Sequence, residues 1–112
     1  MQITTHKETE YYTIAVEGDL DASSSIQLDE AISDAVSKNE KKIIVDCTKL
    51  DYISSAGLGV FMSYIQDFNN NNISLVLCHL SEKVKNVFQI LGLDELIRIE
   101  NTKEEAKQSI NN

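Results

Sequence analysis

Hydrophobic positions along the chain change period repeatedly, and each change marks an element. Tyr12-Thr13-Ile14-Ala15-Val16-Glu17 alternates apolar and polar side chains and reads as a strand, joined by a turn around Lys7 to Glu10 to a partner near Ile3. Gly18 is expected to break it. Leu28, Ala31, Ile32, Ala35 and Val36 then recur at helical spacing, behind a Ser23-Ser24-Ser25 run that supplies the cap. Lys42-Ile43-Ile44-Val45-Asp46-Cys47 is a short β-branched run, the kind buried on both faces of a parallel sheet. Leu58, Phe61, Met62, Ile65 and Phe68 form the core stripe of a second helix.

The second half repeats the alternation. Asn69-Asn70-Asn71-Asn72 is expected to be a polar loop, and Ile73 to Cys78 an apolar strand. Ser81 caps a helix whose Val84, Val87, Phe88 and Leu91 face the core, and Gly92 stops it. Leu96-Ile97-Arg98-Ile99 reads as the last strand. Thr102 with Glu105 makes a capping box for a terminal helix that has only Ala106 and Ile110 as apolar anchors and is expected to fray. The order β-β-α-β-α-β-α-β-α predicts an α/β fold, a mixed and mostly parallel sheet with helices packed against it. Residues 1–112 are expected to form a single domain, since the chain is long enough for one core and not for two.

One junction stands apart. Asp51-Tyr52-Ile53-Ser54-Ser55-Ala56-Gly57-Leu58-Gly59-Val60-Phe61 sets two hydroxyls and two glycines where a strand becomes a helix. Either Ser54 or Ser55 can serve as N-cap, satisfying an N–H left unpaired in the first turn. A helix needs only one cap, and Ala56 and Gly57 leave little bulk around the second hydroxyl. A phosphoryl group added there brings roughly −1.5 to −2 charges to a helix start, where free N–H groups and the dipole tolerate an anion. Gly59 costs a helix interior about 0.5 to 1 kcal/mol relative to Ala, which fits a position kept bare for a partner's approach. Leu58 and Met62 belong to the core stripe.

Charge and chemistry narrow the function. A net charge of −8 and pI near 4.6 argue against direct nucleic-acid binding, which rests on Lys and Arg, and favour protein partners with basic surfaces. No run of about 18 apolar residues and no apolar signal core are present, so a cytoplasmic protein without membrane insertion is expected. So small and acidic a domain is expected to be a monomer. Cys47 and Cys78 read as small buried hydrophobes rather than a disulfide or, with His79, a metal site. Asp19 to Glu30 imitates a calcium loop but holds Ser24 where that loop needs Gly, so no metal or other cofactor is expected; the segment reads as a capping loop that leaves Asp19 or Asp21 free for a partner. No G-x-S-x-G elbow or P-loop is present, and His6 and His79 read as strand and loop residues, so the chain is not expected to be an enzyme.

Ser55-Ala56-Gly57-Leu58-Gly59 after a strand, with Gly18-Asp19-Leu20-Asp21 upstream, resembles the anti-sigma factor antagonist family of bacterial STAS domains, and the resemblance spans nearly the whole chain. It implies a STAS fold and phosphorylation of Ser55, the serine two positions before Gly-Leu-Gly, by a partner kinase. The family's usual Asp before that serine is here Ser54, a second candidate acceptor, and its usual Ser or Thr after it is Ala56. Asp21 holds the family's acidic position, and Asp19 and Asp21 of the Gly18-Asp19-Leu20-Asp21 loop, with Ser23, are implied to join Ser54, Ser55, Ala56, Gly57 and Gly59 in the surface shown to the partner. That partner is implied to be an ATP-dependent serine kinase with a histidine-kinase-like ATPase fold that doubles as an anti-sigma factor, with a metal-dependent serine phosphatase for reset. The alternative is a constitutive STAS scaffold in a transporter-associated or sensory complex, with Ser55 only a cap.

Overall fold

The computed structural model of the chain describes residues 2–111; the first and last residues of the expected domain lie outside them. Five strands, β1 (Gln2–Lys7), β2 (Tyr12–Leu20), β3 (Lys42–Ile53), β4 (Ser74–Cys78) and β5 (Arg98–Glu100), lie side by side in chain order. β1 and β2 form an antiparallel hairpin, and all later pairings are parallel. The connections carry α1 (Ser25–Ser37), α2 (Ser55–Asn70) and α3 (Glu82–Ile90), and α4 (Lys103–Asn111) follows β5. The mixed, mostly parallel α/β sheet is therefore as expected. No helix among the described residues is long and apolar enough to cross a membrane.

Parallel neighbours need long crossovers, and each crossover helix must bury its stripe on the sheet. Leu28, Ile32 and Ala35 of α1, Leu58, Phe61 and Phe68 of α2, and Val84 and Phe88 of α3 share one cluster with Ile14, Val16, Ile43, Val45 and Leu77 of the strands. On the opposite face Ala106 and Ile110 of α4 meet Ile44, Val76 and Cys78. Both cysteines are buried and free, one on each face.

Several boundaries differ from expectation. Gly18 does not end β2: with φ +92 it sits beside an irregularity and the strand continues to Leu20. β3 runs six residues past Cys47, to Ile53. Its pairing with β2 steps from Ala15↔Asp46 to Glu17↔Lys49, then from Gly18↔Leu50 to Asp19↔Tyr52, so β3 carries an extra residue at each step. Such bulges twist a strand and re-aim its side chains. Asn69 and Asn70 are the last turn of α2, and only Asn71 and Asn72 lie beyond it. Leu91 is exposed, because α3 has by then passed the core, although Gly92 stops the helix as expected with φ +72. A 3-10 turn at Leu93–Glu95 delays β5 to Arg98.

Candidate functional site

The site is built where β2 and β3 end together. Leu20 pairs with Ile53, and the Ser54 N–H donates to the Leu20 carbonyl at 2.9 Å, clamping the start of α2 to the end of β2. Ligand and partner sites of open α/β sheets gather at such carboxyl ends.

The two serines divide the roles that the sequence left open. Ser54 is the N-cap, in extended backbone conformation, and its Oγ accepts the Gly57 N–H at 3.2 Å. Ser55 is the first residue of α2, exposed, and its hydroxyl has no partner among the described residues. Ala56 beside it is exposed as well.

The two glycines divide in the same way. Gly57 is buried, and a Cβ there would lie 2.9 Å from Leu20 Cδ2 and Cγ and 3.0 Å from Ile53 Cγ1. Its lack of a side chain lets α2 seat on the sheet, so the expectation that Gly57 is part of a surface shown to a partner is corrected: it lies buried beneath the first turn of α2. Gly59 is exposed, with nothing within 4 Å of a Cβ. Leu58 is buried and Met62 packs against the core, as the stripe predicts.

The neighbouring loop is stiffened by Asp21. Its Oδ1 accepts the Ser24 N–H and Ser24 hydroxyl, both at 2.9 Å, and the Ser23 hydroxyl at 3.0 Å, while Ser24 Oγ accepts the Asp21 N–H at 2.8 Å. These donors, the Ser24 N–H foremost, hold the Asp21 carboxyl down at about 2, so it is ionised at neutral pH. The serine run is therefore not what caps α1: Ser24 stands at the N-cap position without a side-chain capping bond, and Asp21 satisfies the preceding turn. Asp19 keeps an exposed side chain, and its carbonyl lies 3.0 Å from Ser24 Oγ, an alternative acceptor to Asp21 Oδ1 for that hydroxyl's single hydrogen.

Between this loop and β3 lies a shallow, open depression of ≈ 530 Å³ lined by Gly18, Asp19, Asp21, Ser23, Ser24, Gln27 and Asp51. Asp51 opens the Asp51 to Phe61 junction but is not among the expected site residues; it is the extra residue of the second bulge, in the stretch of β3 that runs past Cys47. Tyr52 and Ile26, 45% and 62% exposed, are apolar groups at this same end of the fold. The unstrandlike three-residue spacing of buried Leu50 and Ile53 was the available signal.

The strand order, helix placement and paired loops are those of a STAS domain, and the chain belongs to the STAS domain family, whose profile matches residues 1–106. It is 31% identical over 99 residues to the anti-sigma-B factor antagonist of Listeria monocytogenes, spanning 88% of this chain and 87% of that protein. With the anti-sigma-B factor antagonist of Staphylococcus aureus it shares 26% identity over 99 residues, 88% of this chain and 92% of that one. Among solved structures, an anti-sigma factor antagonist from Mycobacterium paratuberculosis has the same fold at a TM-score of 0.89, with 14% identity over 99% of this chain and 94% of that one. The Bacillus cell fate determinant SpoIIAA in its phosphorylated form matches at a TM-score of 0.73, with 24% identity over 97% of this chain and 99% of that one.

Proposed function

We propose that this chain is an anti-sigma factor antagonist gated by phosphorylation of Ser55. Unphosphorylated, it binds a serine kinase that is also an anti-sigma factor, of histidine-kinase-like ATPase fold, and thereby frees a sigma factor. The chain acts by binding, in the cytoplasm, and brings no ATP site or cofactor of its own. Relatives named as anti-sigma-B factor antagonists over most of the chain support the partner class, and a fold neighbour solved in phosphorylated form supports the gate.

The observation that carries the reading is the division between the adjacent serines. Ser54 Oγ is engaged by the Gly57 N–H, whereas Ser55 Oγ is exposed and has no partner among the described residues. The Ser55 hydroxyl would attack the γ-phosphorus of ATP held by the kinase, forming the O–P bond as the bond to ADP breaks, with the hydroxyl proton passing to a general base of the kinase. The new dianion sits in the first turn of α2, where N–H groups without intrahelical partners and the dipole accommodate it, so the fold persists. Its bulk and charge join the carboxylates of Asp19, Asp21 and Asp51 and oppose the partner's return. A loss of about 3 kcal/mol lowers affinity more than a hundredfold. A metal-dependent serine phosphatase then restores the hydroxyl. Ser23, Ala56 and Gly59 complete the docking surface.

The test is reconstitution with the histidine-kinase-like ATPase encoded in the host genome, followed by fragment mass analysis. One phosphoryl group on Ser55, absent from Ser55→Ala, together with tight binding of Ser55→Ala and weak binding of Ser55→Glu, is expected. Stoichiometric labelling of Ser55→Ala would move the site to Ser54. Absence of both labelling and binding would leave a constitutive STAS scaffold.

A further inference from the structure

α4 stands outside the core that holds the other helices. α1, α2 and α3 share one continuous apolar cluster, whereas α4 covers the opposite face, its buried apolar residues among those described being Ala106 and Ile110, on Ile44, Val76 and Cys78 with Tyr11 alongside. An isolated helix of nine residues is not stable in water, so the order of α4 depends on its docking.

Much of that docking is polar and comes from three separate elements. Glu8, in the β1–β2 turn, holds Lys103 Nζ at 2.9 Å and Lys107 Nζ at 3.3 Å, and is itself fixed by the Thr13 hydroxyl at 2.6 Å. His79, after β4, accepts the Lys103 N–H through Nε2 at 3.3 Å. Arg98 of β5 donates to the Ser109 carbonyl at 2.8 Å. Asn101 and Thr102 alone separate β5 from α4.

We propose that α4 is a releasable flap latched by Glu8: it lifts as a unit about Asn101 and Thr102 while the sheet and the other three helices stay folded, uncovering Ile44, Val76 and Cys78. The physical basis is unequal stability. Units with few buried apolar contacts open at lower free energy than the global core, and the Glu8 pairs are partly exposed and screened by salt.

The cysteines give each face its own reporter. Cys47 lies in the three-helix core and Cys78 beneath α4, and burial pushes the thiol pKa of both up, Cys78 to about 12, so alkylation waits on opening. The experiment is N-ethylmaleimide labelling of the intact native protein, with each cysteine followed in the same sample by peptide mass spectrometry. Cys78 is expected to react roughly a hundredfold faster than Cys47, and its rate to stay nearly flat in low urea while that of Cys47 climbs, because a local opening exposes little surface. Glu8→Gln should accelerate Cys78 about fivefold, the scale of two weak ion pairs, and leave Cys47 within twofold. Added salt should act in the same direction on wild type and much less on Glu8→Gln. Equal rates at both cysteines, with the same urea dependence, would show that α4 leaves only on global unfolding and overturn the flap. A fast Cys78 indifferent to Glu8→Gln would overturn the latch.

Discussion

On the sheet side of the first turn of α2, Ser54 is tied to the Gly57 N–H and Gly57 lies against Leu20 and Ile53; on the solvent side, Ser55 and Gly59 stand clear of the rest of the fold. The same two residue types thus do opposite things within six residues. In the neighbouring loop Asp19 and Asp21 are both exposed, and they differ in that the Asp21 carboxylate is held by the Ser23 and Ser24 donors. The inner residues hold the start of α2 against the end of β2, so a change of side chain at the outer ones is expected to leave the fold intact, as the proposed phosphorylation of Ser55 requires.

The largest test of this contrast is to fill the inner glycine. Gly57→Val places a branched carbon where a Cβ already meets Leu20 at 2.9 Å, and should cost about 3 kcal/mol, roughly 10 °C in melting temperature. A stable Gly57→Val, measured by urea and thermal unfolding, would remove the close approach from the account. Next in size is the serine pair: Ser54→Ala should lose about 1 kcal/mol as a broken cap, while Ser55→Ala stays within about 0.5 kcal/mol of wild type. Reversal of that order would make Ser55 the cap.

Gly59→Ala should sharpen the outer half, stabilising the fold by about 0.5 to 1 kcal/mol through helix propensity while weakening the kinase complex in a titration. Unchanged binding would free Gly59 from the docking surface. The smallest effect concerns Asp21, whose folded carboxyl is depressed to about 2 from 3.8. A depressed carboxyl contributes stability above its unfolded value and loses it on acidification, so the deficit of Asp21→Asn should be constant above about pH 4 and close as pH falls toward 2.

Much of this molecule was legible in the chain. Leu28, Ile32 and Ala35, then Leu58, Phe61 and Phe68, then Val84 and Phe88 report their helices because a buried stripe must repeat with the helix period. The junction at Ser54 and Ser55 marked the start of α2 for a related reason, since serine is a preferred N-cap. The Asn run misled, since Asn69 and Asn70 follow the backbone of a helix already anchored by Phe68. The length of β3 was likewise hidden, because it is set by pairing with distant β2, as were the exposure of Leu91, where α3 has passed the core, and the late start of β5 behind the 3-10 turn.

By itself the sequence determined the order of elements, the family resemblance and a two-serine junction, all properties of local spacing and residue type. Only the tertiary structure decided which serine caps and which is exposed, that Gly57 is a seat and Gly59 an opening, that bulges in β3 bring Asp51 beside Asp19, and that α4 lies alone on its face. Each of these depends on which distant residue arrives alongside, Leu20 against Gly57 or Glu8 against Lys103, and such pairings are set by sheet register and packing that no local pattern encodes.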